Sequence, residues 1–312
     1  MNLTWWDFVI VAGVLLALYA LACSRLYRGL FLPDRRSWEE DFRFTPFEFQ
    51  AEAEEVELES ADGVRYGAWF LRQPGHPQVI VVSPGQRGRR QDVIGISVAL
   101  WRKGFNVLCY SYRGMAGSEG GQPTWGAREV QELGAALAWV RRRVLGARIG
   151  LLGYSVGAAV SLLAAAGDPS IEALVLDSPY ADLTRQLKER ARRATGLPGA
   201  VLLAPVALWL RLRTGARLGE ASPISVLSGL EPRPLFFIHG GADRVTDVRH
   251  SRDLYDSYRG PREIWVVQGA PHLGAYFDDR PSYVERVAGF FGRHLGMSQK
   301  AVLRLVDDEE VS

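Results

Sequence analysis

The chain has 312 residues, of which 47% are hydrophobic, and its 37 basic and 35 acidic residues leave a formal net charge of +2. That size allows one large α/β domain or two small ones, and a near-neutral charge without a nucleic-acid motif argues against a nucleic-acid partner. Cys23 and Cys109 are not placed to pair, and the sequence carries no metal, phosphate-loop or dinucleotide motif, so it predicts neither a metal nor a cofactor.

The first predicted element is an apolar segment at the start of the chain. Phe8 to Ala22 is uncharged and almost wholly aliphatic, with Trp5 before it and Tyr27 after it. As a helix, Trp5 to Tyr27 would be about 34 Å long, which is enough to cross a hydrocarbon core of about 30 Å. We therefore predict a membrane anchor over residues 1–29.

A cleaved leader is the alternative to an anchor. A secretory signal peptide has basic residues before its apolar stretch, and this segment has none there and no clear small-x-small cleavage site after it. Ala20-Leu21-Ala22-Cys23 resembles a lipoprotein cleavage site but lacks the same basic residues. The positive-inside rule then predicts a single-pass protein with a cytoplasmic domain, because basic residues only follow the segment. They are Arg25, Arg28, Arg35, Arg36 and Arg43.

The remaining chain is predicted to form a linker at 30–53, an α/β domain at 54–296 and a loose acidic tail at 297–312. Two alternating segments around Ala61-Asp62-Gly63 predict a hairpin at 54–59 and 64–72. Strand-like and helix-like segments then alternate, which predicts a mostly parallel sheet with helices on both faces. The predicted strands are 79–82, 105–111, 148–152, 172–176, 234–238 and 263–267, and the predicted helices are 92–103, 126–144, 156–166, 247–258 and 280–295.

The alternation of strands and helices breaks between 179 and 227. Two helix-like pieces lie there, at 183–194 and 200–213, directly after a predicted strand. An insertion at this point would cover the carboxyl edge of the sheet, where α/β folds place their sites. We therefore predict a small helical cap at about 179–227.

The most informative motif is Gly153-Tyr154-Ser155-Val156-Gly157. It lies between a strand-like run and a helix-like run of small residues, which is the context of a nucleophile elbow. Such a turn holds the serine in a strained backbone conformation and exposes its hydroxyl, and glycines two residues before and after make room for it. Ser155 is therefore the predicted nucleophile.

A serine nucleophile needs a base, and the base needs an acid that fixes its tautomer. Of five histidines, His272 alone lies in a loop between a predicted strand and a helix, so it is the predicted base. Asp243 follows another strand and completes the order Ser, Asp, His that accompanies an elbow serine. Asp247, at a helix N-cap position, and Asp177, at the end of the preceding strand, remain rivals for the acid.

The oxyanion of an acyl-transfer intermediate needs preorganised donors, which are usually backbone N–H groups. The amide of Val156 directly follows the nucleophile at a helix N-terminus. The second donor is expected from the loop after strand 79–82, which reads Ser83-Pro84-Gly85-Gln86-Arg87-Gly88. Within this loop, the predicted donor is the amide of Gln86.

Together these residues resemble the α/β-hydrolase superfamily, in particular its membrane-anchored serine-aminopeptidase-like and acyl-hydrolase branch, over about Glu54 to Leu295. Further resemblance lies in four segments on either side of the elbow and the cap. They are Tyr110-Ser111-Tyr112-Arg113-Gly114, Gly117-Ser118-Glu119-Gly120, Asp177-Ser178-Pro179-Tyr180 and Ser222-Pro223. The sequence departs from the family at Pro84-Gly85, where His-Gly is common, and at Asp247, where proline is common.

The resemblance implies an α/β-hydrolase fold and cofactor-independent hydrolysis of a carboxylic ester or thioester through an acyl-enzyme, without fixing the acyl group. A lipid or acyl-chain substrate would suit an enzyme tethered to a bilayer. A serine peptidase with the same triad is the alternative, and a non-catalytic, membrane-anchored binding protein is a further one. The expected partners are therefore an acyl substrate and the membrane.

Overall fold

The computed structural model describes residues 4–31, 44–115, 118–196 and 198–297. The acidic tail after residue 297, residues 32–43 of the linker, Gly117 of the family-like loop and Leu197 in the cap lie outside the described residues.

One eight-stranded sheet organises the domain. Its strands are β1 (Glu54–Glu59), β2 (Arg65–Leu71), β3 (Gln78–Ser83), β4 (Asn106–Tyr110), β5 (Arg148–Tyr154), β6 (Ile171–Asp177), β7 (Leu235–Gly240) and β8 (Arg262–Val267). They lie in the order β1-β2-β4-β3-β5-β6-β7-β8. The hairpin of β1 and β2 joins β4 antiparallel, and all other neighbours are parallel.

Helices connect the parallel strands and cover both faces of the sheet, so β3, β4 and β7 are buried along their full length, and β5 and β6 at all but one residue each. The α-helices of the described residues are α1 (Trp5–Phe31), which precedes the sheet, α2 (Ile94–Arg102), α3 (Glu129–Arg143), α4 (Val156–Ala166), α5 (Leu183–Thr195), α6 (Gly199–Thr214), α7 (Pro223–Val226), α8 (Arg249–Ser257), α9 (Ala275–Asp278) and α10 (Arg280–His294). One apolar core contains α3 and α4, and a second contains α2 and α10. The predicted α/β architecture is confirmed.

The strand order places a topological switch at the centre of the sheet. From β3, the chain crosses to β4 on one side and then returns to β5 on the other. At such a point the loops that leave adjacent carboxyl ends diverge, and the crevice between them is where α/β sheets bind ligands. The loop after β3 and the turn after β5 therefore face one another, and Gly85 lies 3.9 Å from the Ser155 Cβ, measured from an ideal Cβ position on the glycine.

Helices α5 and α6 lie between β6 and β7 and pack against each other, and α6 also packs against α1. The helix α1 is long and apolar enough to cross a membrane, by length and composition. Its side chains are mostly exposed up to Ala22, whereas Cys23, Tyr27, Leu30 and Phe31 are buried against the domain. The last two turns of α1 are thus part of the folded domain, and the exposed part, Trp5 to Ala22, is about 27 Å long at 1.5 Å per residue.

Candidate active site

The turn between β5 and α4 has the geometry of a nucleophile elbow. Ser155, the only residue between the two elements, has φ 52° and ψ −110°, in the region that side chains other than glycine rarely occupy. A Cβ on Gly153 would lie 2.6 Å from the backbone N and Cα of Ala158 in α4, and one on Gly157 would lie 2.7 Å from the carbonyl carbon of Ser83 at the end of β3. Only glycine at both positions lets strand, helix and neighbouring strand approach this closely.

The predicted serine, histidine and aspartate lie in hydrogen-bond contact. His272 Nε2 is 3.1 Å from Ser155 Oγ, and His272 Nδ1 is 2.6 Å from Asp243 Oδ2. With its proton on Nδ1, the imidazole donates to the carboxylate and turns the Nε2 lone pair towards the serine hydroxyl. Ser155 is 8% exposed, so the hydroxyl reaches the cavity above it while its backbone stays buried.

Asp243 is held as a carboxylate by four donors. Its Oδ1 accepts from the N–H groups of Val245 (2.7 Å) and Thr246 (2.9 Å), and its Oδ2 lies 3.2 Å from His239 Nε2 as well as beside His272. Burial alone raises the pKa of the Asp243 carboxyl, but the hydrogen bonds from His239, His272 and Thr246 outweigh burial and hold this pKa well below its usual range. The group that orients the imidazole is therefore ionised at any working pH.

The two rival acids have other partners. Asp247 pairs with Arg249 at 3.0 Å and accepts from its backbone N–H at the start of α8. Asp177 is fully buried and accepts hydrogen bonds from the hydroxyls of Ser178 (2.8 Å) and Tyr283 (2.9 Å), and burial raises the pKa of this carboxyl. Asp243 is thus the carboxylate that contacts His272.

The loop after β3 forms the other wall of the site. Gly85 approaches Ser155 closely, and Gln86 follows it in a tight turn closed by a hydrogen bond from the Gly88 N–H to the Gly85 carbonyl (2.9 Å). The amide of Val156 is the first of α4, and N–H groups in the first turn have no acceptor within their helix. The amides predicted to bind an oxyanion therefore belong to the two segments that flank the nucleophile.

The last turn of α1 contacts this same loop, which the sequence did not reveal. The Gln86 Nε2 and the Trp125 Nε1 both donate to the Leu30 carbonyl at 2.9 Å, and the Arg87 guanidinium donates to the Gly29 carbonyl at 2.7 Å. Carbonyls at a helix C-terminus lack partners inside the helix, and here residues beside the active site supply them. The C-terminus of α1 thus braces the loop that carries Gln86.

Ser155 and His272 open into a cavity of about 310 Å³ beneath the cap. Its other walls come from the loop after β3, from α5 and from the loop after β7, and the side chains include Trp125, Tyr180, Gln186, Arg190 and Thr246. This cavity is mixed in polarity and large enough for part of a small organic ligand.

A second, apolar cavity of about 430 Å³ adjoins the first. The two share Gly85, Asp92 and Leu273 as a common wall. The remaining lining is mostly aromatic and aliphatic and comes from the segment before β1, from α2 and from α9, with Phe44, Phe49, Val93, Ile94, Ile96, Tyr276 and Phe277 among its members. Leu273, which follows His272 and has φ 57°, lies between the two cavities.

His239 and Trp125 are site residues that sequence reasoning missed. His239 is the next-to-last residue of β7 and is fully buried; its Nδ1 lies 2.7 Å from the Ser251 hydroxyl, and its Nε2 faces Asp243 and the Thr246 carbonyl. Trp125 has φ 57° and lines the catalytic cavity. No pattern in the sequence marks the location of Trp125. The spacing of four residues between His239 and Asp243, across the end of a strand, could have pointed to a contact between these two side chains.

Within the described ranges, no three His, Cys, Asp or Glu side chains are grouped so that they could hold a metal ion.

Comparison with known proteins places this geometry among hydrolases. A family model described as X-Pro dipeptidyl-peptidase (S15 family) matches residues 36–221. The uncharacterized protein YqkD of Bacillus subtilis is 28% identical over 250 residues, which cover 79% of this chain and 81% of YqkD.

Solved structures share the fold at lower identity. An esterase of Pyrococcus furiosus, Pf2001, superposes with a TM-score of 0.69 at 22% identity over 85% of this chain and 98% of its own. The α/β hydrolase GrgF from Penicillium superposes with a TM-score of 0.63 at 22% identity over 78% of this chain and 99% of its own. These likenesses confirm the predicted α/β-hydrolase fold.

Proposed function

The chain belongs to the X-Pro dipeptidyl-peptidase (S15) family, and from that membership and the geometry of its site we propose that it cleaves a carboxylic ester or thioester through an acyl-enzyme on Ser155. The protein is a serine hydrolase of the α/β-hydrolase fold. The observation that carries the proposal is the continuous chain of contacts from Ser155 Oγ through His272 to the buried, ionised Asp243.

In the proposed mechanism, His272 Nε2 takes the proton of Ser155 as Oγ attacks the acyl carbonyl carbon. The negative charge that develops on the carbonyl oxygen is stabilised by the amides of Val156 and Gln86. His272 then gives its proton to the leaving oxygen or sulfur, and the carbon–leaving-group bond breaks to form the acyl-enzyme. Water attacks this ester under the same base, releases the acid and restores the serine.

Removal of the Ser155 hydroxyl tests this function. We expect Ser155→Ala to lower kcat on short p-nitrophenyl esters by about 10⁴-fold or more while the thermal unfolding curve stays in place. A fluorophosphonate probe should label the wild-type serine and leave the variant unlabelled. Equal hydrolysis by the two proteins would show that the reaction does not pass through this serine.

We further propose that the acyl group is a hydrocarbon chain that lies in the apolar cavity behind Leu273. Its mostly apolar lining and the wall that it shares with the catalytic cavity support this assignment. If the chain binds there, kcat/KM should rise from acetate to octanoate esters, and Ile96→Trp, which fills the cavity from α2, should remove that rise. If the kcat/KM of the wild type did not change with the length of the acyl chain, this assignment would be contradicted.

A second candidate reaction is cleavage of a peptide bond, which the description of the S15 family favours. The same triad would serve an amide, with His272 protonating the leaving amine. A panel of p-nitrophenyl esters, thioesters and X-Pro p-nitroanilides separates the two reactions, because turnover of the anilides at rates comparable to the esters would favour the peptidase.

We propose that α1 anchors the enzyme in a membrane with its domain on the cytoplasmic side. Its apolar composition, its length and the basic residues after it support this arrangement. The protein should stay in the membrane pellet after alkaline extraction, with its first residues retained. A soluble protein that starts after the apolar segment would instead identify α1 as a signal sequence.

A further inference from the structure

The catalytic cavity contains a cationic side chain with no acidic partner. Arg190 lines this cavity together with Ser155, yet no carboxylate of the described residues lies within ion-pair distance of its guanidinium. Asp92, an acidic residue on the same wall, pairs with Arg89 at 3.3 Å. Burial lowers the pKa of the Arg190 guanidinium, and the like charges of Arg193 and Arg87 lower this pKa further.

The guanidinium of Arg190 lies over an aromatic ring. Its guanidinium carbon lies 5.6 Å from the centroid of the Trp125 ring, within range of a cation–π contact. Trp125 is itself held by its hydrogen bond to Leu30 and is 3% exposed. A planar fork of donors that rests on a rigid ring is preorganised to bind a carboxylate or phosphate.

A second, independent observation points to a ligand at the same place. Gln186 lies one turn before Arg190 on α5 and lines the same cavity, and it is 1% exposed. Its Nε2 donates to the Val245 carbonyl (2.8 Å) and to the Thr246 hydroxyl (2.9 Å), whereas its Oε1 is buried without a hydrogen-bond partner. Buried acceptors are nearly always paired, so an unpaired oxygen in a residue of the cavity wall is a place where a ligand donor would supply the missing hydrogen bond.

We propose that Arg190 and Gln186 form an oxyanion-binding subsite of the catalytic cavity, and that the substrate is an acyl ester carrying a carboxylate or phosphate group. Arg190 donates to the anionic oxygens, and Gln186 Oε1 accepts from a hydroxyl or protonated oxygen beside them. The cavity of about 310 Å³ places this group and the ester at Ser155 in one space. The inference rests on the proposed ester hydrolysis and names the substrate class for it.

The apolar cavity lies on the other side of Leu273 from this subsite and would hold the hydrocarbon part of the same substrate. An acyl ester with a hydrocarbon chain and an anionic group would meet apolar side chains in one space and Arg190 in the other. A substrate with both parts is an amphiphile.

Three esters of matched length test the subsite on the full chain in detergent. They are p-nitrophenyl pentanoate, which is neutral, mono-p-nitrophenyl glutarate, which has a carboxylate at the end of the acyl group, and 3-carboxy-4-nitrophenyl pentanoate, which has it on the leaving group. The measured quantity is the ratio of kcat/KM for each anionic ester to that for the neutral ester. We expect one anionic ester to be preferred by roughly 10-fold or more, the size expected of a charge-assisted hydrogen bond.

Variants on one helix assign the preference to a side chain. Arg190→Gln should reduce the ratio to near one, and Arg190→Lys should restore part of it because the charge returns without the planar fork. Arg192→Gln is the matched control, because it removes an exposed arginine from the same helix. It should leave the kcat/KM of all three esters, and therefore the ratio, unchanged. Glycerol 3-phosphate and glutarate, added as competitors, report whether the subsite prefers phosphate or carboxylate.

Two results would overturn the inference. The first is a wild-type ratio at or below one for both anionic esters, or a preference for an anionic ester that persists in Arg190→Gln. Either outcome contradicts the subsite and leaves the proposed hydrolase function intact. Failure of the wild type to hydrolyse even the neutral ester overturns the proposed function and the subsite with it.

Discussion

Asp243→Asn is a sharp test of the site, because the structure fixes how the new amide must point. The Oδ1 position accepts from two backbone N–H groups, of Val245 and Thr246, so an asparagine oxygen has to occupy it. The amide NH₂ then takes the place of Oδ2, 2.6 Å from His272 Nδ1. Two donors cannot share that contact, so the imidazole must move its proton to Nε2 and can no longer accept one from Ser155.

The expected loss follows from the missing base. With the wrong tautomer the serine reacts without its proton acceptor, and kcat should fall by roughly 10⁴-fold, which corresponds to about 5.4 kcal/mol in the activation free energy. The opposite amide orientation offers no escape, because it leaves both backbone N–H groups facing a donor and so loses two hydrogen bonds. The two side chains have the same shape, so the fold should persist.

The assay is steady-state hydrolysis of a short p-nitrophenyl ester, with thermal unfolding as the check on folding. Asp247→Asn is the control, since this side chain pairs with Arg249 at the surface and should change kcat by less than about twofold. The reasoning is refuted if Asp243→Asn keeps more than about a tenth of the wild-type kcat, or if the Asp247 variant is the one that fails.

Three further predictions concern stability. Gly157→Ala should lower the free energy of unfolding by at least about 1–3 kcal/mol in urea titrations, because its Cβ would overlap the backbone of Ser83; an unchanged midpoint would contradict the close packing at the elbow. Arg113→Met should cost about 3–5 kcal/mol, since it strands the buried Glu132 carboxyl, and Arg113→Met/Glu132→Leu should recover much of that loss; a double variant no more stable than the single one would argue against the pair. A hydrogen bond from Arg113 lowers the pKa of Asp62 to about 2, so this carboxylate stabilises the fold above about pH 4 and its contribution is lost as the pH falls from about 4 to about 2. Asp62→Asn should therefore lose less stability than the wild type over that pH window, and parallel pH curves would refute the assignment.

The sequence by itself determined the elements and their order. The apolar run before Ser155 and the small residues after it are local patterns, and the structure has β5 end at Tyr154 and α4 begin at Val156. Alternating strand and helix segments dictate a parallel sheet, because a strand that returns parallel needs a crossover. Loops after parallel strands meet at one edge, so chain order alone could nominate Asp243 and His272 as neighbours of the serine.

Other features depended on groups far apart in the chain, and only the tertiary structure decided them. Asp177, Asp243 and Asp247 all follow strand ends or loops, and their sequence contexts did not separate them fully; the choice came from the direction of each carboxylate and from its competing partners. His239 and Asp243 are four residues apart in the chain, but a histidine near the end of a strand is common, and only the fold shows which group it meets.

The same limit applies to the cap and the first helix. The apolar composition of α1 indicates a segment that avoids water, but it does not say that Leu30 contacts Gln86 beside the nucleophile. Arg190 belongs to a run of basic residues that is typical of a solvated helix face, and only the position of α5 at the wall of the cavity places that side chain beside Ser155. Local patterns follow from the bonding needs of neighbouring residues, whereas burial and pairing of a charge depend on which distant surfaces the fold brings together.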